Sequence, residues 1–350
     1  GGPMSALPLQ RQLLPLPSIA LPDPRLLALA GLLVLAAAVA VSVGAVPVPV
    51  IDLITNRSSV TPLERMVFLE LRLPRVVLAG TVGAALALAG ACLQGLFRNP
   101  LAEPQLIGVS SGAALGAIAM IVFGEVLALP AALSPYSLPV AAIIGAVAVT
   151  GALYAFASRQ GHGGVTTLLL VGIAVNALAG VGIGLFTWLA NNGELRSLTF
   201  WSLGSFGGTQ WQTALPAIAL IALATACLLP AARRLDLLQL GELEAARLGV
   251  CVLALKRRLV FGVAVAVGAG VAVAGIIGFV GLVVPHIARL LGGVHHRYVL
   301  PASAFLGATL AITADLGART LVVPAEMPVG LITSAIGAPF FLWLVLRLRR

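Results

Sequence analysis

The chain has 350 residues, of which 60% are hydrophobic and only 9% are charged, with a mean hydropathy of +1.08 and a formal net charge of +9. A soluble domain carries about 25% charged residues, so this composition excludes an ordinary soluble domain. Apolar runs of about 20 residues recur along the chain, which is the length that a helix needs to cross a hydrocarbon layer of ~30 Å. The sequence therefore predicts an all-α polytopic membrane protein.

Residues 1–24 are predicted to be a flexible N-terminal tail ahead of a single transmembrane domain, 25–350. Gly1–Pro3, before Met4, is typical of an expression scar. The remainder of the tail is rich in proline and too broken for a signal peptide.

Ten apolar stretches follow the tail, and each predicts a transmembrane helix: 26–46, 76–96, 104–123, 138–157, 165–190, 211–230, 257–275, 276–291, 299–316 and 328–346. The eighth stretch is short, which indicates that two of these helices are broken or tilted. Between the second and third stretches, Pro100 and Pro104 are predicted to stop one helix and start the next. Small residues such as Gly83, Gly90 and Gly112 are expected to let helices pack closely.

The basic residues predict an orientation for the ten spans. With both termini in the cytoplasm, 15 of the 21 lysine and arginine residues fall on the inner side. This is the asymmetry that the positive-inside rule requires, and it accounts for the net charge without any nucleic-acid partner.

Three arginines on the predicted outer side, Arg72, Arg75 and Arg319, admit two interpretations. They are either interfacial side chains that extend towards water, or a basic rim that pairs with carboxylates on a docking partner.

Residues that carry chemistry are sparse. The sequence has no H-E-x-x-H or C-x-x-C motif, and its one lysine, Lys256, is not in a Walker A loop. We therefore expect no enzyme activity and no bound cofactor or metal ion. His295 and His296 are expected to lie in a solvated inner loop. Glu103 is predicted at the inner surface, so that no carboxylate lies clearly in mid-membrane, which disfavours a proton-coupled secondary transporter without excluding it.

One cytoplasmic segment, 231–256, is long, polar and amphipathic. Within it, 240–249 predicts a short helix that ends at Gly249. The segment either lies on the membrane surface or docks into a groove on a cytoplasmic partner.

Several motifs together resemble the FecCD family, the permease subunits of bacterial ABC importers for iron–siderophores, haem and vitamin B12. They are "RLPR", "GAALALAGACLQGLFRNPLAEPQLIGVSSGAALGA", "LGELEAARLG", "GFVGLVVPHIARLL", "HRYVLPASAFLGATLAITADLGART" and "AEMPVGLITSAIGAPFFLWLVLR". The resemblance extends from about residue 26 to the C-terminus. It implies the vitamin B12-importer-like permease fold in the bacterial inner membrane, as a homodimer with two cytoplasmic ATPase subunits, which hold ATP and Mg, and one periplasmic binding protein.

The resemblance also assigns residues to three roles. Arg72, Arg75 and Arg319 match positions that pair with glutamates of the binding protein. The match to the helices that couple to the ATPase covers Leu240, Gly241, Glu242, Ala245, Ala246, Leu248 and Gly249. The match to the inner gate of the pathway covers Asn99, Leu101, Gly164, Val165 and Leu169.

The substrate is indicated by one outer segment, "LRSLTFWSLGSFGG" at 195–208, which is similar to the haem branch of the family. Haem is the first expectation, a ferric siderophore the second and cobalamin the third. A secondary transporter that needs no ATPase is the alternative from another class.

Overall fold

The computed structural model describes residues 23–44, 61–127, 129–159, 165–322 and 325–348, and this part of the chain is built from helices without a strand. The helices are α1 (Pro24–Ser42), α2 (Pro62–Phe97), α3 (Val109–Phe123), α4 (Ser134–Arg159), α5 (Val165–Leu189), α6 (Asn192–Ser202), α7 (Trp211–Leu228), α8 (Ala232–Leu238), α9 (Glu242–Arg247), α10 (Val252–Ala274), α11 (Val280–Gly292), α12 (His296–Thr320) and α13 (Val329–Leu348).

Each of the ten predicted spans coincides with one of these helices. Within the described residues, α1, α2, α4, α5, α7, α10 and α12 are long and apolar enough to cross a membrane, and α3, α11 and α13 are shorter apolar helices. The predicted tail lies almost entirely outside the described residues, so its flexibility stays a prediction.

Two predicted spans begin later than expected. The stretch from 104 starts with a 3-10 turn, Pro104–Ile107, and α3 begins only after Gly108, which has a φ of 77°. Likewise α10 ends at Gly275, with a φ of 70°, and α11 begins after Phe279, with a φ of 67°. Positive φ angles interrupt helices, so these junctions shorten α3 and α11.

Helix α2 is at the centre of the bundle and packs against α10, α11 and α12. Its glycines permit this because a Cβ atom at Gly83 would overlap the carbonyl oxygen of Gly307 on α12, and one at Gly90 would overlap that of Gly281 on α11. Gly112 of α3 is equally close to α4, where an added Cβ atom would lie 2.5 Å from the carbonyl oxygen of Gly145. The predicted close packing through small residues is confirmed.

The connection between α2 and α3 does not turn at the surface of the bundle. Asn176 on α5 donates a hydrogen bond to the carbonyl of Gln105 at 3.0 Å, and Thr150 on α4 donates one to the carbonyl of Ile107 at 3.3 Å. At 1.5 Å per residue, both donors lie about 15 Å from the nearer helix end. The connection is therefore a re-entrant segment, 98–108, in which two backbone carbonyls accept hydrogen bonds from side chains near the middle of α4 and α5.

Candidate functional sites at the two ends of the bundle

The three arginines predicted on the outer side lie together at the end of the bundle where α1 ends. Arg72 is only 6% exposed, and its Nη1 donates hydrogen bonds to the carbonyls of Val41 at 2.9 Å and Ser42 at 3.0 Å. These carbonyls belong to the last turn of α1, which has no further helical donors, so Arg72 caps that helix end.

Arg75 has two acidic partners of different burial. Its Nε and Nη2 donate to the carboxylate of Asp315 at 2.9–3.1 Å, and its Nη1 donates to Glu326 at 3.0 Å. The Asp315 side chain is 1% exposed, whereas the Glu326 side chain is 49% exposed. The bond to Asp315 is therefore enclosed, and the bond to Glu326 is open to solvent.

Arg319 on α12 completes this group of arginines, which we call the outer cluster after its predicted side. Its Nε lies 3.8 Å from Asp315, and its Nη2 donates to the carbonyl of Ala40. The structure thus brings the three predicted arginines together and gives each a partner within the chain. Sequence reasoning identified the arginines but not the role of Asp315, which lies inside α12 between them. Asp315 carries a charge opposite to that of the arginines and lies four residues before Arg319. This spacing was the sequence signal that could have predicted the pairing.

The predicted gate residues Asn99 and Leu101 form a tight turn at the start of the re-entrant segment. The side-chain oxygen of Asn99 accepts a hydrogen bond from the Leu101 amide at 2.9 Å, and Arg98 before it has a left-handed φ of 49°. Gly164 lies outside the described residues, and for Val165 and Leu169 only their places on α5 are described. Whether they approach Asn99 stays a prediction.

Glu103 lies deeper than the sequence indicated. Its Oε1 accepts a hydrogen bond from the backbone amide of Phe279 at 3.2 Å, at the first residue of the turn into α11. The prediction that Glu103 lies in a surface loop is wrong, because the re-entrant segment carries it into the bundle. The carboxylate supplies an acceptor to a helix start that has none of its own.

Gln94 joins α2 to α11 beside this turn. Pro285 has no amide hydrogen, so the carbonyl of Gly281 lacks its usual partner within α11. Gln94 Nε2 donates to the carbonyls of Gly281 and Leu282 at 3.3 Å, and Arg289 donates to Gln94 Oε1 at 2.6 Å. This buried bridge was missed because nothing near Gln94 in the sequence identifies its partners.

The predicted helix within 240–249 is confirmed as α9, which lies between Gly241, with a φ of 119°, and Gly249, with a φ of 86°. Its leucine Leu243 is 78% exposed, and the neighbouring Leu240 and Leu248 are 63% and 57% exposed. Ala245 is buried, and Lys256 of α10 bonds Glu242 at 2.8 Å. A fixed helix that presents a patch of exposed leucines is typical of a docking surface.

Helix α8 attaches this segment to the bundle. One oxygen of Asp236 accepts the backbone amide of His296 at 2.9 Å and lies 2.7 Å from its Nδ1. Gln239 Nε2 donates to the carbonyl of Gly95 at 2.8 Å. His296 is therefore 4% exposed at the start of α12, and the prediction of a solvated loop is wrong for it.

Apolar helices around a re-entrant segment, with short helices presented at one end, define a polytopic helical membrane protein. The profile of the FecCD transport family matches residues 32–347. The chain belongs to the FecCD transport family.

Relatives agree with this assignment. The chain is 52% identical to the hemin transport system permease protein HmuU of Yersinia pestis over 81% of this chain and 84% of that protein. It is 43% identical to the vitamin B12 import system permease protein BtuC of Vibrio vulnificus over 83% and 86%, respectively.

A solved structure of an ABC transporter described as of the metal-chelate type, in an inward-facing conformation, is 34% identical, with a TM-score of 0.82. The match covers 93% of this chain and all of that one. The predicted permease fold is confirmed.

Proposed function

We propose that this chain is the permease subunit of an ABC importer that passes haem from a periplasmic binding protein to the cytoplasm. The observation that carries the proposal is the 52% identity to a hemin permease over 81% of the chain. Cobalamin and ferric siderophores are the alternative substrates. The 43% identity to a vitamin B12 permease makes cobalamin the first alternative to test.

The proposed assembly is a homodimer in the lipid of the inner membrane, with both termini in the cytoplasm. Two cytoplasmic ATPase subunits would bind ATP and Mg, and one periplasmic binding protein would deliver the substrate. This chain would supply a path and no covalent chemistry, and no nucleic acid takes part.

At the outer end, a carboxylate of the binding protein would replace Glu326 on Arg75. Glu326 is the exposed partner of that guanidinium, whereas Asp315 is enclosed and would stay in place. Arg72 and Arg319 would orient the site through their contacts with the end of α1. Docking would thus exchange one surface ion pair for another, at little cost in charge burial.

At the inner end, the exposed leucines of α9 would enter an apolar cleft on the ATPase. Movement of that helix would reach the transmembrane bundle through α8, since Asp236 holds His296 on α12 and Gln239 holds Gly95 on α2. The C-terminus of α2 leads directly into Asn99 and the re-entrant segment. The bonds therefore form a continuous connection from the docking helix to the proposed gate.

This function is tested by measuring substrate uptake into proteoliposomes that contain the permease, its ATPase and the binding protein. Haem uptake that requires ATP is expected, with cobalamin and a ferric siderophore as comparison substrates. Haem uptake by the permease alone would refute the ABC mechanism and support a secondary transporter. ATP-driven uptake of cobalamin or the siderophore but not haem would retain the mechanism and change the substrate.

A further inference from the structure

A groove runs between α7 and α12, which both pack on α2 but leave space between each other. Its apolar part has a volume of about 430 Å³ and is lined by Ile221 and Thr225 on α7 and by Phe305 and Ile312 on α12. Gly80 of α2 contributes to the floor, where the absent side chain keeps the groove deep.

A second cavity of about 380 Å³ lies next to the first on the side of α8, and its lining includes Leu229, Arg233, Arg297 and Pro301. Leu229 is one helical turn beyond Thr225, and Pro301 is one turn before Phe305, so the two cavities follow the same pair of helices. From Arg297 to Ile312 the groove extends about 22 Å along α12 at 1.5 Å per residue. It therefore has a basic mouth and an apolar interior, which together extend over more than half of a ~30 Å hydrocarbon layer.

The two arginines at the mouth are exposed. Within the described residues, neither guanidinium has an ion pair or a hydrogen bond, whereas Arg247 pairs with Glu244 and Arg258 donates to the carbonyl of Cys227. Arginine stays charged and matches the geometry of a phosphate group with two parallel donors. The mouth therefore carries positive charge that the chain itself does not neutralise.

We propose that this groove binds one anionic phospholipid from the leaflet on the α8–α9 side. The phosphate lies between Arg233 and Arg297, and an acyl chain follows the apolar interior between α7 and α12. The charge selects an anionic headgroup, and the length and apolarity of the groove select a lipid over a soluble phosphate.

The position of the mouth gives this lipid a structural role. Arg233 lies on α8, the helix that also carries Asp236, and Arg297 follows His296 on α12. A phosphate between the arginines would join the same two helices as the Asp236–His296 pair. The lipid would therefore strengthen the attachment of the proposed coupling segment, a consequence that rests on the proposed function, although the binding itself does not.

The site is tested by native mass spectrometry of the delipidated full-length chain. The chain is titrated with dioleoyl-phosphatidylglycerol or with dioleoyl-phosphatidylcholine. Phosphatidylglycerol should bind more tightly, and Arg233→Gln and Arg297→Gln should each weaken its binding about fivefold. The matched control is Arg234→Gln, since Arg234 is exposed on the same helix and does not line the groove. This control should bind phosphatidylglycerol like the unaltered chain.

Equal binding of the two lipids, or an equal loss in the Arg234 control, would overturn the proposal. Ala222→Phe, which fills the apolar interior, should also weaken binding, and an unchanged affinity would refute the acyl-chain site. Excess inorganic phosphate should not displace the lipid, because the acyl chain is also bound. Displacement would mean that the site recognises the headgroup alone. No ATPase is present, so failure of the transport proposal would not alter these outcomes.

Discussion

The two carboxylates that hold Arg75 differ in burial, and this difference predicts opposite consequences of their removal. Asp315→Asn takes the charge from a side chain that is 1% exposed and bonds Arg75 through two nitrogen atoms. Breaking a buried ion pair on one side costs about 3–5 kcal/mol when the other charge is left buried without a partner, and the loss here lies towards the lower end because Arg75 keeps its exposed partner Glu326. Glu326→Gln removes a partner that is 49% exposed, and exposed pairs contribute only about 0.2–1 kcal/mol.

The assay is unfolding of the purified full-length chain in mixed micelles with increasing denaturing detergent, followed by tryptophan fluorescence. Asp315→Asn should lower the free energy of unfolding by several times the loss in Glu326→Gln. The same two variants separate stability from docking. Glu326→Gln should bind the proposed binding protein up to about fivefold more tightly, because Arg75 loses a competing carboxylate.

Equal losses of stability in the two variants would refute the argument from burial. Weaker binding by Glu326→Gln would refute the exchange of carboxylates on Arg75, while leaving the stability argument intact. Arg75→Glu should abolish docking in either case if the outer cluster is the docking site, and unchanged uptake in that variant would count against the site.

Three further predictions concern the bundle and its inner end. Gly90→Val should prevent folding or strongly destabilise the chain, because its Cβ would overlap the backbone of α11, while Gly180→Val meets open space and should be tolerated in the same unfolding assay. Glu103→Ala should cost about 1–3 kcal/mol by leaving the Phe279 amide without an acceptor, and Glu103→Gln should largely preserve stability and ATP-driven uptake. Loss of uptake in the stable Gln variant, together with dependence on a proton gradient, would favour secondary transport. Leu243→Asp, at a side chain that is 78% exposed, should leave stability unchanged and reduce co-purification with the ATPase, and full co-purification would exclude α9 as the docking helix.

The local elements of this protein follow from the sequence. A bilayer requires runs of about 20 apolar residues, so the apolar runs of the sequence located the ten apolar helices. Gly249 ended α9 as predicted because its φ of 86° is a conformation that glycine adopts without strain. The family motifs likewise identified the arginines of the outer cluster, although not their surroundings.

The pairing of distant residues could be known only from the tertiary structure. Arg75 meets Asp315 across 240 positions, and His296 meets Asp236 across 60. Such pairs depend on which helices are neighbours, and apolar periodicity carries no information on that choice in a chain where most faces are apolar.

The sequence by itself determined that the chain is a helical membrane protein, where its apolar helices lie, and to which family it belongs. The tertiary structure alone decided how deep the irregular parts lie. A short polar connection such as 98–108 has the same composition whether it turns at the surface or re-enters the bundle. It re-enters because Asn176, Thr150 and the Phe279 turn provide the hydrogen bonds that lipid cannot, and those groups come from three separate parts of the chain.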